Sequence, residues 1–147
     1  MLRSDGRIRT THVGSLPRPP ALRDLLIAQE RGEPIDEATL AREIEAAVRD
    51  VVRRQLEVGI DVGNDGEQPR IGFSTYVTRR IRGFGGERAR PTARDLRDHP
   101  DYGDMLTRRR ASAARILKTA QALAELDYAD LGEAAAECDL FRRVADG

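Results

Sequence analysis

Cysteine, lysine and aromatic residues are scarce in this sequence of 147 residues. Cys138 is the single cysteine, so the chain can form no internal disulfide and cannot supply a multi-cysteine zinc site. There is no tryptophan and aromatic residues make up only 4% of the chain, so a core must be built from Leu, Val, Ile and Ala. Lys118 is the only lysine, which we attribute to coding bias toward arginine in preference to anion recognition.

An excess of either charge and long apolar runs are also absent. The chain has 25 basic and 25 acidic residues, so no global field favours nucleic acid or an acidic membrane. The basic run Arg108–Arg110 has no interleaved aromatics and is not interpreted as a nucleic-acid site. No apolar run approaches the roughly 20 residues of a spanning helix, and residues 1–6 lack the apolar segment of a signal peptide. We therefore expect a cytoplasmic protein with no membrane or nucleic-acid partner.

The first half of the chain carries a strand, helix and strand pattern. Loose alternation predicts a short strand over residues 7–13, and a helix follows over 21–31 with Gly32 as its stop. Asp36 is expected to cap a second helix whose apolar residues recur every three or four positions. Those apolar residues are Leu40, Ile44, Ala47, Val48, Val51, Val52 and Leu56. Ile60 and Val62 then predict a buried strand, which makes an α/β protein with a wound sheet.

The second half gives weaker signals. We predict a third helix over residues 71–82, a long irregular loop over 85–104, and helices again from Ala111, over 116–124 and 131–141. The sequence indicates no strand after residue 84. Cys138 lies on a predicted apolar helix face and is expected to be a buried small hydrophobe.

Small and polar residues follow both predicted strands. Gly14 and Ser15 come after the first strand, and residues 64–67 come after the second. Because the carboxyl ends of parallel strands are where α/β proteins hold ligands, these two tips predict a shared site.

Three segments in this order resemble the start of the catalytic barrel of the cobalamin-independent methionine synthase family. They are Thr11–Arg18 (Thr-His-Val-Gly-Ser-Leu-Pro-Arg), Gly59–Val62 (Gly-Ile-Asp-Val) and Asp65–Glu67 (Asp-Gly-Glu). The resemblance spans about residues 8–95, while 108–147 is interpreted as helical and diverged. It implies the partial start of a (β/α)8 TIM barrel with a helical C-terminal segment, with residues 1–147 as one incomplete domain, because a whole barrel takes about 250 residues.

The resemblance also implies a function. The family moves a methyl group from methyltetrahydrofolate to the sulfur of homocysteine without cobalamin, and a zinc ion binds that sulfur as the thiolate. By resemblance, Val13, Gly14 and Ser15 cradle the amino-acid part of the substrate and Glu67 pairs with its ammonium group. The secondary candidates at the same tips are His12, Arg18 and Asp65. For each of these residues an ordinary structural role is the alternative.

The zinc ligands of the family have no counterpart here. The family uses a His-x-Cys pair, but Ala136 stands two residues before Cys138, and His99 lies in the predicted loop. We therefore identify no catalytic residue and no metal ligand, and expect this chain to bind the amino-acid thiol while being inactive alone. Two alternatives stay open: a non-catalytic assembly subunit that completes a barrel with a partner chain or as a homo-oligomer, and a relative acting on another thiol.

Overall fold

The computed structural model describes residues 6–89, 93–110 and 118–146. They group into two compact units, Met1–Gly72 with Leu131–Gly147, and Phe73–Asp130. The elements in chain order are α1 (Pro20–Glu30), α2 (Glu37–Glu57), α3 (Phe73–Arg80), β1 (Ile81–Ala89), α4 (Arg94–Asp98), α5 (Pro100–Arg110), β2 (Lys118–Tyr128) and α6 (Gly132–Ala145).

Helix α2 is the centre of the first unit, and its prediction is confirmed. The carboxylate of Asp36 accepts a hydrogen bond of 3.3 Å from the main-chain N–H of Ala38, which caps the first turn. The three- and four-residue spacing places one apolar stripe against α1, whose Leu22 and Leu26 are fully buried. The buried residues of α2 are Leu40, Ala47, Val48, Val51, Val52 and Gln55.

Helix α6 packs on the other part of the same stripe. Val144 is buried with Val48 and Val52, and the partly buried Leu140 and Phe141 flank them. Burying a valine side chain contributes roughly 1.5–3 kcal/mol, so this contact fastens the end of the chain to α2.

The two predicted strands of the first unit are reduced to one parallel pair between Thr11 and Val62. The carbonyl oxygen of Thr10 accepts the N–H groups of Asp61 and Val62, both at 3.1 Å. Beyond this pair, the N–H of Leu16 donates to the oxygen of Gly66 at 2.9 Å. The chain thus runs from Thr11 through α1 and α2 back to Val62, and the segments that follow these two residues, here called the tips, lie side by side. The described residues mix helix and strand as predicted, and they form no barrel.

The second unit corrects several predictions. Its strands β1 and β2 pair antiparallel, with Ile81 opposite Tyr128 and Gly85 opposite Gln121. The loop predicted over 85–104 is wrong, since β1 runs to Ala89 and α4 and α5 follow. The absence of strands after residue 84 is also wrong. So is the helix over 116–124 where the structure describes it, from Lys118 onward; residues 111–117 lie outside the described residues.

Two side chains predicted to be buried are exposed. Leu56 is 68% exposed, because Gln55 occupies the inward position at this end of α2. Cys138 is exposed as well, because the stripe of α6 that faces α2 passes through Leu140, Phe141 and Val144 and leaves the thiol beside it. None of the helices within the described ranges is long and apolar enough to cross a membrane.

Candidate functional site

The two tips meet through their side chains. The hydroxyl of Ser15 donates to Oε2 of Glu67 across 2.5 Å, a short charge-assisted hydrogen bond. The prediction that Ser15 and Glu67 lie side by side is therefore confirmed. Their assignment to substrate binding stays a prediction.

Glu67 occupies an unusual backbone conformation. The N–H of Gln68 donates to the oxygen of Asp65 at 3.2 Å, and φ is +60° at Gly66 and +55° at Glu67. Two positive φ angles at the centre of a four-residue turn mark a type I′ turn, which favours Gly, Asn or Asp. Left-handed backbone costs a side-chain-bearing residue roughly 1–2 kcal/mol. Among the described residues, Glu67 is the one non-glycine with a positive φ.

Asp65 serves this turn directly. Its Oδ1 accepts a hydrogen bond of 2.9 Å from the main-chain N–H of Glu67, so its side chain stabilises the turn locally. In the structure, the carboxylate of Asp65 is therefore bonded to the main chain of Glu67. Its candidacy as a ligand-binding group stays a prediction.

The loop after Thr11 is open around Val13 and Gly14. Val13 is 86% exposed, and a Cβ placed on Gly14 would meet no atom within 4 Å. Gly14 has φ of +95°, and its carbonyl oxygen lies 2.8 Å from Nε2 of His12. Because a carbonyl only accepts, Nε2 of His12 carries the proton. The imidazole is thereby turned back onto its own loop, and the main chain at Gly14 is accessible.

The side chain of Arg18 contacts the main chain at Glu67 and Arg70. Its Nη2 donates to the main-chain oxygen of Glu67 at 2.7 Å and also to that of Arg70. Burial lowers the pKa of the Arg18 guanidinium from its usual value, and the charge of Glu67 opposes that shift. Its Nε is buried with no partner among the described atoms. Arg18 therefore contacts the main chain both in the turn that carries Glu67 and just after it, at Arg70.

Three amide side chains that the sequence analysis did not single out hold the two tips together. Gln55 is buried on α2, donates through Nε2 to the oxygen of Asn64 at 2.7 Å and accepts the Asn64 N–H at 3.1 Å. Asn64 in turn donates to the oxygen of His12 at 2.6 Å and accepts the N–H of Gly66 at 2.9 Å. Gln68, fully buried, donates to the oxygen of Leu16 at 3.2 Å. Gln55 lies on the apolar stripe of α2, and an amide at such a position is the sequence signal that could have predicted its role.

A cavity of about 500 Å³ lies beside the tips. It is walled by one side of α2, including Val51 and Gln55, and by His12, Leu16 and Arg18 of the loop. Neither Ser15 nor Glu67 lines it. The pair at the tips is thus separate from this cavity.

The residues present do not fit the zinc ion that the resemblance implies. Within 6–89, 93–110 and 118–146, no three His, Cys, Asp or Glu side chains are grouped so as to hold a metal ion. The Cys138 thiol is exposed on α6, and Nε2 of His12 is engaged with Gly14. No step through zinc is derived from this chain.

Residues 8–125 match the family described as cobalamin-independent synthase, catalytic domain. The chain belongs to this family. The match extends beyond residues 8–95, to which the motifs pointed, and reaches into the segment from 108. Helix α6 follows the matched residues.

Named relatives of the cobalamin-independent synthase family match about half of this chain. The 5-methyltetrahydropteroyltriglutamate–homocysteine methyltransferase of Shewanella oneidensis is 36% identical over 76 residues, which is 52% of this chain and 10% of that protein. The methionine synthase of Sulfolobus acidocaldarius is 37% identical over 75 residues, 51% of this chain and 22% of its own length. The 5-methyltetrahydropteroyltriglutamate–homocysteine methyltransferase of Mycolicibacterium paratuberculosis is 35% identical over 75 residues, which is 51% of this chain and 10% of that protein. The chain therefore spans a minor part of these relatives.

Proposed function

We propose that this chain contributes the amino-acid-binding part of a methionine-synthase-type methyltransferase site, with homocysteine as its ligand. Val13, Gly14 and Ser15 would cradle the amino-acid part of the ligand, and Glu67 would pair with its ammonium group. The observation that carries the proposal is the hydrogen bond between Ser15 and Glu67, in the two tips that follow the parallel Thr11–Val62 bridge. Family membership and the printed names of the relatives supply the substrate class.

The hydrogen bonding of the Glu67 carboxylate suits an ammonium ligand. Its Oε2 accepts the Ser15 hydroxyl, and its Oε1 has no donor among the described residues. A carboxylate with one oxygen fixed and the other available can accept a charge-assisted hydrogen bond from –NH3+. The left-handed backbone at Glu67 supports the same role, because strain of this kind collects at sites where a particular side chain is needed.

The rest of the reaction lies outside what these residues supply. In the proposal, the segment from Thr11 through α1 and α2 to Val62 is the beginning of a (β/α)8 barrel. The protein is proposed to be cytoplasmic. The methyl donor, methyltetrahydrofolate, and the zinc ion of the family would be held by elements beyond this segment. The chain on its own then binds the thiol substrate without transferring a methyl group.

Substitution of Glu67 by glutamine tests the proposal in the full chain. Nuclear magnetic resonance titration with L-homocysteine under reducing conditions is followed through the amide signals of Gly14, Ser15 and Gly66. Losing the charged partner is expected to weaken binding by roughly tenfold or more, because a hydrogen bond to a charged group is worth about 1.5–3 kcal/mol.

Glu57→Gln is the matched control. Glu57 is an exposed glutamate on α2 that pairs with Arg53, so the same chemical change is made away from the tips. Its binding should equal that of the unaltered chain. Equal affinities for all three proteins would reject the proposed role of Glu67.

A second candidate is an assembly module that completes a barrel with further strands. It is favoured by the exposed apolar side chains of the first unit, with Ile8 86% and Val58 75% exposed, and by the short Thr11–Val62 pair. Unpaired strand edges are templates for pairing with another chain. Sedimentation velocity tests this with a second copy as the partner: a stable homo-oligomer supports it, and a monomer over the whole concentration range counts against it.

A relative acting on another thiol is the remaining alternative. Competition between L-homocysteine and other thiols in the same titration separates it from the leading proposal.

A further inference from the structure

Arg70 links the turn that carries Glu67 to helix α6. Its Nη1 lies 2.8 Å from Oε2 of Glu137, and its Nη2 lies 3.6 Å from Oδ1 of Asp65. All three side chains are between 17% and 19% exposed, so solvent screens these contacts less than it screens surface ion pairs. The carboxylate of Glu137 therefore holds a guanidinium that also faces the turn.

The same Arg70 is joined to the site through its main chain. Its carbonyl oxygen accepts the guanidinium of Arg18, which also donates to the oxygen of Glu67. Oδ1 of Asp65, opposite Nη2 of Arg70, accepts the N–H of Glu67. The main-chain oxygen and the guanidinium of Arg70 are thus both linked to the backbone of Glu67, the first through Arg18 and the second through Asp65.

Helix α6, which carries Glu137, packs on α2 and close to the loop before the turn. Val144 is buried against α2, and the ring of Phe141 would lie 3.6 Å from a Cβ placed on Gly63, at the start of the loop to the turn. The helix spans Gly132–Ala145, whereas the family match ends at residue 125. A segment beyond the matched residues therefore lies against the tips.

We propose that Glu137 is a positioning residue for the site. It fixes Arg70, and Arg70 keeps the Asp65–Gln68 turn in the conformation that places the Glu67 carboxylate on Ser15. The role in ligand binding rests on the proposed function, while the effect on the turn does not.

Glu137→Gln tests the inference in the full chain, with Glu133→Gln in the first turn of α6 as the matched control. Two readouts are taken: the chemical shifts of the Ser15 and Glu67 amides without ligand, and the L-homocysteine affinity. Glu137→Gln should move both amides and weaken binding roughly three- to tenfold, which lies within the range for residues coupled through one hydrogen-bond network. Glu133→Gln should leave both unchanged.

A double substitution tests whether Glu137 acts through Arg70. Adding Glu137→Gln to Arg70→Gln should produce no further change in either readout. If the two effects add in full, or if Glu137→Gln leaves the amide shifts unchanged, the inference is overturned. Should Glu137→Gln lower the melting temperature too far for titration, Arg70→Lys replaces it, since lysine retains the charge but cannot face both carboxylates with two nitrogens.

The two proposals fail in different ways. If Glu67→Gln binds homocysteine as well as the unaltered chain does, the proposed function is wrong, and the ligand-free shifts still decide the role of Glu137. If Glu67→Gln abolishes binding while Glu137→Gln changes nothing, only the positioning role is wrong.

Discussion

At the scale of single residues, the turn that carries Glu67 depends on the absence of a side chain at Gly66. A Cβ there would lie 3.0 Å from both Leu16 Cδ1 and Val51 Cγ1, in a backbone with φ of +60°. The turn is buried against α2 at this point. The position of Glu67 is therefore set by packing below the turn as well as by hydrogen bonds within it.

Gly66→Ala should lower the free energy of unfolding by about 2–5 kcal/mol, the sum of left-handed strain and overpacking. Gly32→Ala is the matched control, since φ is +68° there and a Cβ would meet nothing within 4 Å. It should lose only the roughly 1–2 kcal/mol of backbone strain. Urea denaturation measures both, and equal losses would contradict the packing argument.

Asp61 gives the first unit a pH-dependent contact. The Thr10 N–H donates to its carboxylate at 2.8 Å, the Thr10 hydroxyl and Arg7 add further hydrogen bonds, and together they lower the pKa of Asp61. A carboxyl with a lower pKa in the folded state stabilises fully above its unfolded value, about 3.9. That contribution is lost as the pH falls from there through the folded pKa.

Asp61→Asn should therefore flatten the fall of the melting temperature below about pH 4 while lowering it at pH 7. Asp104→Asn, at an exposed position of α5, serves as the control. Thermal melts from pH 7 to pH 2 provide the measurement. Parallel curves for Asp61→Asn and the unaltered chain would show that Asp61 contributes nothing to acid sensitivity.

At the scale of elements, helix periodicity predicted α2 correctly and predicted a helix wrongly over residues 118–124, which lie in β2. The prediction of α2 succeeded because its stripe is buried on two sides, by α1 and α6. Strand β2 was missed because Lys118–Tyr128 is rich in helix-forming Ala, Leu, Glu and Gln, and because Leu123 is exposed instead of facing a core. Its pairing with β1 is a long-range contact that local propensity does not encode.

The contact between α6 and α2 can be measured by one buried valine. Val144→Ala should reduce the free energy of unfolding by about 1–2 kcal/mol, since it removes two buried carbon groups at about 0.8 kcal/mol each. Val58→Ala makes the same change at a side chain that is 75% exposed and should stay within about 0.5 kcal/mol. If the two variants are equally stable, α6 does not pack on α2 in solution.

At the scale of the whole molecule, the two strand motifs predicted their own meeting, because parallel strands place their carboxyl ends at one edge. The amides of Gln55, Asn64 and Gln68 were outside that reasoning, since their contacts depend on which side of α2 faces the loop. So was the approach of α6 through Glu137, a contact 67 residues away from Arg70 along the chain.

On the proposed function, the chain alone should show no methyl transfer from methyltetrahydrofolate to homocysteine, with or without added zinc, because the His-x-Cys pair of the family has no counterpart in its sequence. A radiolabelled methyl-transfer assay checks this against a full-length relative as the positive control. Zinc-dependent turnover by the purified chain would contradict the expectation.

The most direct test of the central claim compares two ligands on the unaltered chain. L-homocysteine and 4-mercaptobutyrate share the thiol and the carboxylate and differ in the ammonium group that Glu67 is proposed to bind. Titration should give homocysteine roughly ten times the affinity of 4-mercaptobutyrate or more, the ratio expected from one charge-assisted hydrogen bond. Equal affinity for the two ligands, or tighter binding of 4-mercaptobutyrate, would contradict the account.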